Sequence, residues 1–179
     1  ADYIRCADQI NTLEAAYAYN FSAAQTAIAT EMLTLGATVV GEHWYYNGEP
    51  VTLIFIIRND GDGSRLLIGD YVADQLELLG FTVDRQYKTS SQASPIWMGS
   101  NPADGFWHLY TGGWMSTEII RDLGDNFQFF ASPNSSMNYS PLWQAYAPSA
   151  EFADVMQQLA SKTYADLAER DALFAQALP

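Results

Sequence analysis

One uninterrupted run of residues constrains the fold of this chain more than any other feature. Residues 51–57 read VTLIFII, a seven-residue stretch rich in apolar and β-branched side chains. A run of this kind without polar alternation is typical of a strand that is covered on both faces, as in a parallel sheet. The polar loop RNDGDGS follows at once. The sequence therefore predicts a central strand of an α/β domain.

A helix and a second strand follow the central strand. The helix is predicted from apolar residues at helical spacing, with Gly80 as its end; these residues are Ile68, Val72, Leu76 and Leu79. Residues 81–87, FTVDRQY, then alternate with period two, which is typical of a strand. Two strands joined through a helix form a βαβ unit with parallel pairing. We therefore expect the α/β class, with a small mixed, partly parallel sheet and flanking helices.

The remaining elements are predicted from caps and periodicity. Ser22 and Gln25 have the spacing of a capping box for a helix that ends at Gly36. Residues 88–105 are punctuated by Pro and Gly, with a short helix near 95–99. The other predictions are a third strand at 106–111, a short helix at 116–124, a long loop at 131–149, and closing helices at 150–161 and about 164–177.

Composition excludes several classes of function. The chain has 21 acidic and 8 basic residues, a formal charge of −13, and so repels phosphate backbones; we expect no nucleic-acid partner. No apolar stretch approaches the roughly 20 residues that span a bilayer, so we expect no membrane insertion. Cys6 stands alone, and residues 59–64 lack the pattern of a calcium loop. We expect no metal and no cofactor.

Aromatic side chains are the positive signal for binding. They make up 14% of the residues and concentrate in EHWYYNGEP, FWHLYTGGW and NYSPLWQAY. Trp44–Tyr46, Tyr139, Trp143 and Tyr146 fall in polar segments that we interpret as turns. Aromatic residues on loops line binding surfaces more readily than cores.

The segment HLYTGGWMSTEI, residues 108–119, is the strongest candidate for a site. A predicted strand reaches Gly112 and Gly113, and Trp114 follows. Glycines here allow a sharp turn and the close approach of a ligand. Asn59 follows the neighbouring central strand, at the edge where open α/β sheets place ligands.

The order of these segments resembles the extracytoplasmic solute-binding proteins of ABC importers, family 5, the peptide/nickel/dipeptide class. The resemblance rests on YNFSAAQTAIATEMLTLGA, NGEPVTLIFII, IGDYVADQLELLGFTVDRQ, DGFWHLYTGGW and EFADVMQQLASKTYADLAERDALFAQ, which together reach from about residue 17 to 177. It implies one lobe of a two-lobed, periplasmic-binding-protein-like (type II) fold. Residues 1–179 would form a single domain, a fragment of the C-terminal lobe of a larger protein.

The resemblance also implies a function without catalysis. Such proteins bind a peptide or another small solute in the cleft between two lobes, close over it by a hinge motion, and present it to a membrane permease. The parent protein would be extracytoplasmic, either periplasmic or anchored at the cell surface, and would carry the secretion or lipoprotein signal.

The resemblance assigns the solute site to the segment around the Gly-Trp turn. The proposed binding residues are Tyr110, Gly113, Trp114, Met115, Ser116, Thr117, Glu118 and, from the neighbouring strand, Asn59. Peptide-binding members often place an aspartate three residues after the tryptophan, to pair with the ligand's amino terminus. Here that position is Thr117, with Glu118 next. Either Glu118 replaces the aspartate, or only a hydroxyl stands there and the ligand differs in charge.

Two other hypotheses remain open from the sequence. One is a glycan-acting hydrolase that uses Glu118 and a partner carboxylate. The other is a protein-interaction module whose aromatic loops form an exposed apolar patch.

Overall fold

The computed structural model describes residues 2–113, 124–132 and 146–178. The chain divides into two compact units: Asn20–Trp114, and Ala1–Tyr19 together with Met115–Pro179. The expectation that residues 1–179 form one domain stays a prediction.

The helices are α1 (Asp2–Arg5), α2 (Ala7–Ala16), α3 (Phe21–Thr34), α4 (Ser64–Leu78), α5 (Ser90–Trp97), α6 (Gly124–Ala131), α7 (Ala150–Ser161) and α8 (Leu167–Ala177), with a 3₁₀ turn at Pro102–Asp104. The strands are β1 (Thr38–Val40), β2 (His43–Tyr46), β3 (Glu49–Pro50), β4 (Thr52–Arg58), β5 (Thr82–Lys88) and β6 (Leu109–Tyr110).

The apolar run forms the middle strand of a parallel sheet. The strand order is β5-β4-β6, and both neighbours run parallel to β4. Ile56 and Ile57 are fully buried and Phe55 is nearly so. The predicted central strand and the predicted βαβ unit are therefore confirmed, and so is the α/β class. Within the described residues, the remaining strands, β1 to β3, form a separate antiparallel sheet.

Helix α4 connects β4 to β5 and is held to β5 by charge. Arg85 on β5 donates from Nη2 to the Asp74 and Glu77 carboxylates of α4, each at 2.7 Å. Tyr87 Oη donates to Asp70, one helical turn earlier, at 2.7 Å. These acidic residues are three or four positions apart and so lie on one face of the helix. Side chains of a single strand can therefore bond to all of them.

Trp44 belongs to the core of the first unit. It forms a buried cluster with Ala37 and Phe81, and its Nε1 donates to the Leu79 carbonyl at 2.9 Å. The prediction that Trp44 lies in a turn on a binding surface is therefore wrong. Residues 43–46 form strand β2 instead, whose alternation turns Trp44 inward and leaves Tyr46 exposed.

Helix α3 has its predicted extent but a different cap. It begins at Phe21, and Asn20 is the N-cap, whose side chain accepts from the Ala23 amide at 3.0 Å. Ser22 lies inside the helix, so the predicted Ser22–Gln25 capping box is wrong. Asn20 lies two residues before Ser22, the predicted cap, and asparagine is as good an N-cap residue as serine. The helix ends before Gly36, as predicted.

The connection between β5 and β6 contains more helix than its composition suggests. Helix α5 starts at Ser90, earlier than the predicted short helix near 95–99, because the Thr89 amide donates to the Gln92 side chain at 2.9 Å. Strand β6 is only two residues long, but backbone bonds to β4 continue on both sides of it. His108 donates its amide to Ile54 O, and Thr111 donates to Ile56 O.

The second unit is helical in its described part. Val155 and Leu159 of α7 pack against Phe174 of α8, and Phe127 of α6 meets Phe174 edge to face at 5.2 Å between ring centroids. The two predicted closing helices are confirmed, although α8 begins at Leu167 because Asp166 caps it. Over the described ranges, no helix is both long enough and apolar enough to cross a membrane.

We predict that Trp44 is among the residues on which folding depends most. Trp44→Ala should destabilise the chain by about 3 to 5 kcal/mol, because it opens a cavity beside Phe81 and leaves the Leu79 carbonyl unpaired. Tyr46→Ala, on the same strand but 51% exposed, is the matched control and should cost little. Urea denaturation followed by far-UV circular dichroism measures both. Equal midpoints for the two variants would contradict the assignment of Trp44 to the core.

Candidate functional site

Polar side chains collect where the three parallel strands end. Arg58 is the last residue of β4, Lys88 the last of β5 and Tyr110 the last of β6. The carboxyl ends of parallel strands share one edge of a sheet, and ligands bind there in open α/β folds. We call the residues at this end, with the loops that follow the strands, the carboxyl edge.

The ion pair of Arg58 and Asp60 organises the carboxyl edge. Arg58 Nε donates to Asp60 Oδ1, and the Arg58 side chain is only 12% exposed. The other carboxylate oxygen, Asp60 Oδ2, accepts from the Ser90 amide at 2.9 Å. Asp60 therefore links the loop after β4 to the first residue of α5, and a carboxylate at a helix N-terminus is favourable. The Arg58 guanidinium, with help from the Ser90 amide, lowers the pKa of Asp60 to about 2.

Tyr110 is held from two sides. Arg58 Nη1 donates to Tyr110 Oη at 3.2 Å, and the Tyr110 ring stacks on Trp97 with centroids 5.2 Å apart and planes at 20°. The next residue, Thr111, accepts the Arg58 backbone amide through Oγ1 at 2.8 Å. The phenol is thus fixed before any ligand arrives, so little side-chain entropy remains to be lost on binding.

The glycine pair continues from this fixed strand end. Gly112 and Gly113 are exposed. A Cβ built on Gly113 would lie 2.9 Å from the Cζ and Nε of Arg65, whereas one on Gly112 would make only ordinary contacts of 3.5 Å with Tyr110. The missing side chain of Gly113 therefore leaves room for the Arg65 guanidinium, which comes from the first turn of α4. This places a second cation at the carboxyl edge.

The structure brings three of the predicted site residues to the carboxyl edge. Tyr110 ends β6, Gly113 follows it, and Asn59 is exposed directly after β4, to which β6 pairs. The other five lie outside the described residues; they are Trp114, Met115, Ser116, Thr117 and Glu118. The sequence-based prediction of a solute site at this edge stays a prediction for all eight residues.

Sequence reasoning missed the charged residues of this edge. Arg58, Asp60 and Arg65 lie in or beside a segment that we interpreted only as a loop. The place of Arg58 in the sequence could have indicated them. Arg58 is the first charged residue after the buried run, so its charge needs an acidic partner nearby. Asp62, in the same loop, accepts from the amide and hydroxyl of Ser64 at 3.0 and 2.7 Å. The Asp62 carboxylate therefore stabilises the turn in which it lies, as Asp side chains commonly do in loops.

Comparison with known proteins identifies the fold. No family model matches the chain, and no curated protein sequence matches it. Two solved structures match: the oligopeptide-binding protein AppA from Bacillus subtilis, in complex with a nonapeptide, and NikZ from Campylobacter jejuni, in complex with Ni(L-His). The first has a TM-score of 0.61 and 23% identity over 89% of this chain; the second has 0.60 and 15% over 90%.

The chain spans 29% of the length of each of these structures. The first is an oligopeptide-binding protein by name, and the second was solved with a nickel complex, so their ligands are of the kinds named for the class that the sequence resembles. The resemblance is therefore confirmed at the level of the fold, as is the small parallel sheet with flanking helices.

We predict a measurable acid sensitivity from the Arg58–Asp60 pair. Asp60 has a pKa of about 2 in the folded chain and an ordinary value of 3.8. The unfolded chain therefore takes up the proton first as the pH falls, so the stability that Asp60 contributes is complete above about pH 4 and is lost toward pH 2. Asp60→Asn should flatten the fall in urea midpoint across this interval. Asp104→Asn, a change at an exposed carboxylate, is the control. Parallel curves for wild type and Asp60→Asn would contradict the pairing.

Proposed function

We propose that this chain is the ligand-binding part of an extracytoplasmic solute-binding protein of an ABC importer, and that it carries out no catalysis. The observation that supports the proposal most is the set of paired polar side chains at the carboxyl edge. The fold that carries them is shared with proteins solved in complex with a nonapeptide and with Ni(L-His). The solute would be a peptide or another small molecule. The site would lie extracytoplasmically, where a membrane permease accepts the loaded protein.

The geometry supports binding at this edge on physical grounds. Arg58 and Asp60 satisfy each other and the Ser90 amide, so their charges hold the loops in place. Tyr110 is already fixed by Trp97 and Arg58. A site whose groups are positioned in advance loses less entropy when a ligand binds. The exposed glycines after Tyr110 leave the backbone open to close approach.

We assign the direct solute contacts to the segment that follows the glycines. Trp114 would supply a flat apolar surface, or a cation-π surface for a positively charged group, worth about 0.5 to 2 kcal/mol. Thr117 or Glu118 would recognise a polar or cationic end of the solute, while Met115 and Ser116 would shape the site. Asn59 would contribute from the end of β4.

Capture in this class of protein requires a second wall. The chain spans 29% of the matched structures, and we propose that the opposing surface comes from a second lobe that closes by hinge motion. This chain alone would then hold only half of the contacts. Its affinity for any solute should be weaker than about millimolar, since affinity falls tenfold for each 1.4 kcal/mol of lost interaction.

A titration monitored by nuclear magnetic resonance tests the proposed function. A pool of nonapeptides, and separately the nickel–histidine complex, is added to the labelled chain. We expect small shifts without saturation, centred on the amides of Asn59, Tyr110, Gly112 and Gly113. Micromolar affinity measured by calorimetry would contradict the half-site. Shifts confined to residues remote from the carboxyl edge would contradict the location.

We also predict that the two neighbouring glycines respond differently to the same substitution. Gly113→Ala should displace the Arg65 guanidinium and change the amide shifts of α4's first turn, because its Cβ would crowd Cζ and Nε. Gly112→Ala should leave them unchanged, since its Cβ meets only ordinary contacts. The nonapeptide shifts should shrink for Gly113→Ala alone. Identical behaviour of the two variants would contradict the role given to Gly113.

A further inference from the structure

An apolar groove lies at the opposite end of the parallel sheet from the carboxyl edge. Its volume is about 610 Å³, and its apolar lining includes Ala29 and Leu33 of α3, Val39 of β1, and Leu78 at the end of α4. Leu79 and Gly80, which also line it, join α4 to the start of β5. The groove therefore lies near the amino ends of the strands and shares no residue with the proposed solute site.

The floor of the groove is buried and hydrogen-bonded, and its walls are exposed. Trp44 forms part of the floor, is 7% exposed, and is tied to the Leu79 carbonyl. Gly80 fits against it at φ +94°, where a Cβ would lie 2.9 Å from the Trp44 ring. By contrast, Leu33, Val39 and Leu78 are 61%, 54% and 65% exposed. Large apolar side chains grouped on a fixed surface mark an interaction site.

The charge around the groove selects among classes of partner. Residues 20–57 contain three acidic side chains, Glu31, Glu42 and Glu49, and no lysine or arginine. Glu42 and Glu77 line the groove itself. Glu77 is paired with Arg85 at 2.7 Å, whereas Glu42 is exposed and has no ion-pair partner within the described ranges. An acidic surface attracts cationic groups and repels anionic lipid and nucleic acid.

A second copy of the chain fits this surface poorly. A symmetric contact would place the same acidic patch on both sides, so both copies of Glu42 would be brought into one interface and would repel each other. The whole chain adds a formal charge of −13 to that repulsion. The charge pattern therefore favours a partner of opposite sign.

We propose that this groove binds a cationic amphipathic helix of a partner protein. The groove runs along α3 from Gln25 to Leu33, about 12 Å at 1.5 Å per residue, which matches roughly two helical turns of a ligand. Apolar side chains at helical spacing would contact Leu33, Val39 and Leu78, and flanking Lys or Arg would pair with Glu42. A helix that binds in a groove of this kind contacts it through apolar side chains at positions i, i+3 or i+4, and i+7.

Two labelled synthetic helices test the proposal against the whole chain. Both carry leucine on one face; one carries lysine on the flanks and the other glutamate. By fluorescence anisotropy, the lysine peptide should bind, more weakly as salt increases, and the glutamate peptide should bind at least about tenfold more weakly. Equal affinities, or no binding of either peptide, would overturn the proposal.

Surface variants locate the contact. Leu33→Ser should weaken binding of the lysine peptide about tenfold. Leu67→Ser, at a leucine that is 73% exposed on α4 but outside the groove lining, should leave it unchanged. Glu42→Lys should weaken the lysine peptide and strengthen the glutamate peptide. Because these side chains are exposed, the variants should unfold at the wild-type urea midpoint.

Binding that is equal in the Leu33→Ser and Leu67→Ser variants would show adsorption to a generally acidic surface and would overturn the proposal. So would a dimer in sedimentation equilibrium that Leu33→Ser dissociates, because a second copy would then be the occupant.

Discussion

The partly buried guanidinium of Arg58 is the group on which the carboxyl edge depends. It stands at the end of a strand whose preceding residues, Ile56 and Ile57, are fully buried, and a charge in such a place has to be paired. Asp60 pairs it, Tyr110 accepts from it, and its backbone amide is taken by Thr111. One side chain and its amide thus fix the loop after β4 and the end of β6, while Asp60 extends the link to α5. The contacts that Arg58 makes at the ends of β4 and β6 therefore also set the shape of the edge where a solute would bind.

The two ends of the parallel sheet have different surface chemistry. At the carboxyl edge, charged groups are paired or placed beside exposed glycines, which suits a site that contacts a small polar solute. At the amino end, Leu33, Val39 and Leu78 are exposed around Trp44, and the exposed carboxylate of Glu42 lies beside them. A sheet built this way separates a proposed solute site from a proposed protein contact, so that the test of each leaves the other intact.

The sequence predicted those parts of the fold that follow from periodicity. Strand β4, helix α4, strand β5 and the closing helices are confirmed, because each carries enough consecutive residues for its pattern to be recognised. Trp44 was misplaced because β2 has four residues, too few for alternation to stand out between turn residues. The Arg58–Asp60–Ser90 link could not be predicted either, since it joins residues 30 positions apart whose proximity exists only once β4 and β5 pair. Position in the sequence predicted that Tyr110, Gly113 and Asn59 would lie at one edge of the sheet, but it did not predict the charged groups that surround them.

A crystal structure of the longer solute-binding protein that we propose, grown with any solute that co-purifies with it, tests the central claim most directly. The account predicts that the solute lies against the carboxyl edge, in contact with Tyr110 or the backbone of Gly113, and that the Arg58–Asp60 pair stays intact beneath it. A solute bound away from the ends of β4 and β6, with neither residue in contact, would contradict it.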